Sequence, residues 1–169
     1  MTLAITIAVA AIITFAVLFS GAKMTTVGPW YRALRKPWWN PPEWLFGPAW
    51  TVILSLTAWA GVEAWIATDS ASDHWRIAIL FAVYIVFHTL WTPLFFNLRR
   101  PDWALYEVVF LWLSAAALAV GVGSISTQAG LLLLVLVGWV TFAAYLNWTV
   151  VRLNGPFGGG RNEALPASG

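Results

Sequence analysis

The sequence contains no cysteine, which excludes a disulfide scaffold and any thiolate metal site. It is also poor in charge: Asp, Glu, Lys and Arg make up 9% of its 169 residues, against roughly 25% in a soluble domain. Strand-like alternation at about ten-residue spacing is missing, so a transmembrane barrel is not expected. No internal repeat is visible, which disfavours an inverted-repeat transporter. No nucleophile–base pair, paired carboxylates or phosphate-binding glycine loop stands out, and Gly158-Gly159-Gly160 reads as flexible linker in a tail over 156–169. What is there is apolar: 60% hydrophobic residues, 13 tryptophans and a mean hydropathy of +0.77. The formal charge of +2 is too small an excess to indicate nucleic acid. These features describe a small integral membrane protein.

A spanning helix needs about 20 mostly apolar residues, and five such runs occur. They cover about 3–20, 44–67, 75–98, 103–122 and 129–153, which predicts an all-α bundle of five transmembrane helices within one domain over 1–155. The first run lacks a basic leader and an A-x-A cleavage site, so a retained helix is expected. Lys23, Arg32, Arg35 and Lys36 lie between the first and second spans, Arg99 and Arg100 between the third and fourth, and Arg152 and Arg161 after the fifth. The opposite side offers only Arg76. The positive-inside rule then puts loops one and three and the C-terminus in the cytoplasm and the N-terminus outside. In the fourth span, small-x-x-x-small pairs over Ser114, Ala115, Ala117, Ala119, Gly121 and Gly123 mark a close-packing face.

The segment from Ala22 to Glu43 is far longer than the about 2–8 residues usual between bundled helices. Gly28-Pro29 and Pro37 punctuate it, Trp30, Tyr31, Trp38 and Trp39 fill it, and Pro41-Pro42 suits a helix start with Asn40 as cap. Such a loop either lies among the headgroups or folds over the bundle as a lid. Trp44, Trp65, Trp75, Trp103 and Trp148, near span ends, fit an interfacial aromatic belt. Trp50, Trp91 and Trp139 lie deeper, which suits core packing or an aromatic-lined pocket for a flat apolar ligand.

Polar residues within spans are costly and face the interior or a partner. His88, one turn from Trp91, is a ligand contact, an axial ligand to a haem iron, or a neutral ring hydrogen-bonded to another helix. Asn147, near Tyr145, bonds either a ligand or a neighbouring helix. Glu63 and Glu107, close to span ends, are expected to reach water and receive no role. Pro48 and Pro93 each break a backbone bond and allow a kink.

Several separated motifs together resemble the TspO/MBR family, the tryptophan-rich sensory proteins related to the mitochondrial translocator protein. Trp38-Trp39-Asn40-Pro41-Pro42-Glu43-Trp44, then Phe46-x-Pro48-Ala49-Trp50-Thr51, is similar to its W-x-P-P-x-W signature. Leu90-Trp91-Thr92-Pro93-Leu94-Phe95-Phe96 is similar to its third-helix motif, and Trp139, Leu146-Asn147 and Arg152-Leu153-Asn154 to its fifth helix. The resemblance covers about residues 20–155. It implies a homodimer of five-helix bundles embedded among membrane lipids of a bacterium, inner or outer membrane left open, with a pocket closed by loop one. It implies a tetrapyrrole ligand, protoporphyrin IX or haem, with no cofactor required, and a role as transporter or as sensor of porphyrin metabolism. The ligand-binding residues it points to are Trp38, Trp39, Trp50, His88, Trp91, Trp139 and Asn147. An alternative it carries is light-dependent porphyrin degradation with Trp50 and Trp139 as catalytic residues; another is a lipid- or sterol-interacting structural protein. His88 stands where many members have Asn, which changes the polar contacts open to a ligand. Six residues separate Tyr145 from Arg152, one too many for the loose cholesterol pattern, so a sterol is not the expected ligand.

Overall fold

The local sequence decides where each helix starts and stops. In the computed structural model, which describes residues 2–158, α1 spans Leu3–Met24, α2 Pro29–Ala33, α3 Glu43–Ile66, α4 Ala71–Thr92, α5 Pro101–Gly123 and α6 Thr127–Asn154. Among the described residues there is no strand, and five helices are long and apolar enough to cross a membrane. Serine hydroxyls cap two of them: Ser70 accepts from the Asp73 N–H at 3.4 Å and Ser126 from the Ala129 N–H at 3.2 Å. These caps carry α4 and α6 a few residues beyond the apolar runs that define their spans. The α3 start differs from expectation. Pro42 occupies the N-cap position, whereas the Asn40 amide turns back to donate to the Pro41 carbonyl, so Asn40 caps nothing.

Pro93 ends α4. Without an N–H it cannot bond the carbonyl four residues earlier, and the chain widens into a π turn over Pro93–Asn97, closed by Leu98 N–H to the Pro93 carbonyl at 2.9 Å. Wide turns of this kind recur at functional sites. Here it turns Phe95 into the protein interior, where it is 4% exposed. Arg99, at φ 52°, reverses the chain into α5.

The five long helices close into a ring in the order α1, α3, α6, α5, α4, with α3 also touching α4 and α5 across the middle. The side facing hydrocarbon is apolar, as at Ile12, Phe15 and Val120. Inside, the two ends differ. The end away from loop one is aliphatic and tight: Ala60, Ile77, Leu118, Val122, Leu133 and Leu136 are buried there. Gly121 lies under the Leu80 side chain, and Gly123 against Gly130 lets α5 and α6 approach backbone to backbone. The end carrying loop one is filled by aromatic rings.

Polar side chains tie the helices together. Trp112 of α5 donates to the Thr141 hydroxyl of α6 at 2.8 Å. The Asn147 amide of α6 bridges the first turn of α5, its nitrogen donating to the Pro101 carbonyl (3.2 Å) and its oxygen accepting from the Leu105 N–H (3.0 Å). Ser126 donates to Glu63 at 2.9 Å, joining the end of α3 to the start of α6. Glu63 and Glu107 therefore do not reach water as their places in the sequence suggest. One Glu63 oxygen is held by Ser126 and the other is buried; Glu107 is 6% exposed because its face of α5 turns into the ring.

A Cβ on Gly130 would lie 2.6 Å from the Gly123 Cα and 3.3 Å from the Ala119 carbonyl oxygen, so backbone must move. Gly138 has open space around it. In detergent, Gly130→Ala should destabilise the fold by about 1–3 kcal/mol, and Gly138→Ala should leave it unchanged or raise it by up to about 1 kcal/mol. Thermal unfolding of the two variants side by side checks the helix contact.

Candidate functional site

Two groups of rings meet at the loop-one end of the bundle. The first is interior: the edge of Trp50 (α3) packs on the His88 ring (α4) at 4.7 Å and on Trp139 (α6) at 6.0 Å between centroids. Phe46 and Phe142 flank Trp139 at 6.2 and 5.4 Å. His88 sits one turn after Tyr84, and its Nδ1 lies 3.3 Å from the Tyr84 hydroxyl. Tyr84 engages Nδ1, and the His88 ring packs on Trp50 of α3. Edge-to-face pairs at these distances contribute about 0.5–1.5 kcal/mol each beyond buried area.

The second group is the lid. The chain between α1 and α3 folds down onto the bundle, and α2 carries its first contacts. Trp30 and Tyr31 pack on Phe95 at 6.1 and 6.4 Å, and Tyr31 on Phe96 at 5.4 Å. Trp91 stacks on Phe95 at 5.0 Å, which joins this group to the third-span motif. At the far end of the lid, Trp39 stacks on Tyr145 at 5.2 Å and meets Phe142 at 6.0 Å. The lid is thus pinned at one end to the π turn and at the other to α6.

A polar clamp lies between those pins. Asn154, the last residue of α6, accepts from the Arg35 N–H at 2.8 Å and donates to the Arg35 carbonyl at 2.8 Å and to the Val150 carbonyl at 2.8 Å. Lys36 donates to the Tyr31 carbonyl at 2.7 Å, with its ammonium 4.2 Å from the Tyr31 ring centroid. Burial pushes the Tyr31 phenol above its ordinary value, with the Glu43 charge adding to the rise. Burial also lowers Lys36, against the opposing pull of Glu43. The basic residues at this end lie over rings: Arg100 over Trp103 at 4.3 Å and Arg152 over Trp148 at 4.9 Å.

Of the residues picked from sequence, Trp39, Trp50, His88, Trp91 and Trp139 converge on this region. Trp38 does not: it is 95% exposed, on the outer side of the lid. Asn147 is buried near the cluster, but its amide is taken up by α5. Phe46, Phe142, Phe95 and Tyr31 were not picked, though they supply much of the ring surface. Phe46 and Phe95 stood within the quoted motifs and Tyr31 in loop one, while Phe142 was signalled only by its place three residues after Trp139. Among the described residues, no three His, Cys, Asp or Glu side chains gather to hold a metal ion.

Residues 4–153 of the chain match the family model described as the TspO/MBR family. The chain belongs to the TspO/MBR family. It is 38% identical to the tryptophan-rich sensory protein of Cereibacter sphaeroides, covering 74% of this chain and 77% of that one. Protein CrtK of Rhodobacter capsulatus is 40% identical, over 75% and 79% of the two chains. The human translocator protein is 31% identical over 78% of this chain and 79% of its own. This family member is therefore an integral membrane protein with sensory and translocator relatives.

Replacing Asn154 by Ala removes both of its bonds to the lid. At about 0.5–1.5 kcal/mol for each of the two lost bonds, the lid should open roughly five- to 150-fold as often. Amide hydrogen exchange over residues 29–39 reads this directly, with the buried amides of α5 unchanged.

Proposed function

We propose that this protein binds a tetrapyrrole, protoporphyrin IX or haem, in the aromatic interior beneath the lid, and acts as a transporter or sensor of porphyrin metabolism. The observation that carries the reading is the contact set of Trp50, His88 and Trp139, drawn from three helices and covered by a clamped lid. Faces of Trp and Phe rings offer a flat apolar ligand stacking and area burial, while His88 supplies a polar contact. The rings now touch one another, so entry requires the lid to lift and the rings to part. By the positive-inside rule, the charge of Lys23, Arg32, Arg35, Lys36, Arg99, Arg100 and Arg152 supports a cytoplasmic position for this end. Entry and exit of ligand then take place from that side.

A second reading is light-dependent degradation of the porphyrin. The edge-to-face contact of Trp50 with Trp139 favours it, since two oxidisable rings would stand together beside the ligand.

Titration of the purified protein with protoporphyrin IX in the dark, followed by tryptophan quenching corrected for porphyrin absorption, tests the first reading. Saturable binding is expected, weakened roughly three- to tenfold by Trp139→Phe. Linear quenching that is the same in both proteins would mean partition into the micelle and would sink the pocket. Illuminating the same samples separates the second reading, which requires porphyrin loss that stops when Trp50 or Trp139 becomes Phe.

A further inference from the structure

Two buried polar groups have no partner in the fold. Both carboxylate oxygens of Glu107 are shut off from solvent and bond to nothing, and so does the indole N–H of Trp91. Buried polar atoms are normally satisfied, and a carboxyl group inside a membrane span is costly to leave alone. Among the described residues Glu63 leaves one oxygen unbonded but is held by Ser126 through the other, and Asn147 between α5 and α6 and Trp112 on Thr141 are paired.

The two groups belong to one layer. The antiparallel helices α4 and α5 meet at Leu80 against Gly121, then at Phe87 stacked on Phe110 at 5.8 Å, and then at Phe95, which shares a buried cluster with Ala104. Trp91 is one turn on from Phe87 and one turn before Phe95. Glu107 is one turn from Phe110 and one turn from Ala104. Trp91 and Glu107 therefore fall in the layer between two observed contacts, on facing turns. Trp91 also packs against both the interior rings and the lid group, so this layer adjoins the proposed ligand space.

We infer that Glu107 and the Trp91 indole N–H form the polar end of the ligand site, built for a carboxylic acid group that enters with its proton. Glu107 is an acceptor and Trp91 a donor, on facing turns of one layer. A protonated carboxyl carries the complement on one carbon: its O–H donates to a Glu107 oxygen while its carbonyl accepts from Trp91. The titratable groups next to the layer on α4 are His88, one turn before Trp91, and its partner Tyr84; Arg99 and Arg100 lie beyond the π turn at the bundle end. Two ionised carboxyls with no cation between them would repel, so Glu107 and the incoming acid hold at least one proton between them. The inference rests on the tetrapyrrole reading and assigns the place of one acid side chain of that ligand.

Protoporphyrin IX and its dimethyl ester are the probes, since the ester keeps the ring and loses the acid O–H. The protein should bind the free acid roughly tenfold or more tightly than the ester. Glu107→Leu should remove that preference and leave ester binding nearly unchanged. Glu107→Gln, whose amide still presents an acceptor beside a donor, should keep part of it, and Trp91→Phe should reduce it several-fold. A preference that survives Glu107→Leu and falls instead in Arg35→Gln or Arg100→Gln would place the acids at the basic rim and overturn the inference. Saturable binding with no preference in the unaltered protein would also overturn it while leaving the tetrapyrrole reading intact. Binding of neither probe would defeat both.

Discussion

Hydrocarbon offers a peptide group no hydrogen-bond partner, and everything in this protein follows from meeting that constraint with very little charge. The spanning backbone must be helical, and each helix end and each polar side chain must find its partner inside the protein. The sequence supplies few such groups: hydroxyls such as Thr57 and Ser114 bond carbonyls of their own helix, and others join helices. Ser126 at once caps α6 and holds Glu63 of α3, while Asn147 grips the first turn of α5. Pro93, which breaks the pattern, sits at the bundle end where the π turn restores the carbonyl bonds and turns Phe95 inward.

The same constraint divides the interior in two. Where only packing is required, the core is Leu, Val and Ala, with glycines letting α5 and α6 touch through their backbones. Where loop one comes down, the core is Trp, Phe and Tyr. Large flat rings present faces that separate and re-stack at small cost, unlike interlocked aliphatic side chains. A site that opens is better made of the first kind than the second. The lid repeats the theme, with rings at both ends and a two-bond amide clamp between them.

The spans were legible in the sequence because length and hydropathy alone decide what crosses a bilayer. Their ends shifted by a few residues where capping serines or amphipathic Lys23 carried the helix past the apolar run. Trp50, His88 and Trp139 could be picked out because a ring or an imidazole at mid-span is unusual. Their meeting could not, since it depends on which helices are neighbours around the ring. Trp38 and Trp39 show the limit plainly: adjacent and identical in sequence, one is exposed on the lid and the other stacks on Tyr145. Glu107 was misjudged for a similar reason. Its distance from the helix end suggested water, but its face of α5 turns into the ring and it is buried. The cap at Asn40 failed because Pro42, at ψ 144°, stays extended and the helix begins only at Glu43. The Gly159-Gly160 stretch and Arg161, read as part of a flexible tail, lie outside the described residues.

The central claim is that the loop-one lid governs access to the aromatic interior. The absence of native cysteine allows a direct test, because Arg35→Cys with Asn154→Cys introduces the only two thiols, at positions already joined by two 2.8 Å bonds. Protoporphyrin IX binding should be lost when this pair is oxidised in the empty protein and should return on reduction with dithiothreitol. Equal saturable binding in the oxidised and reduced forms would show that the ligand does not pass the lid, and would contradict the account.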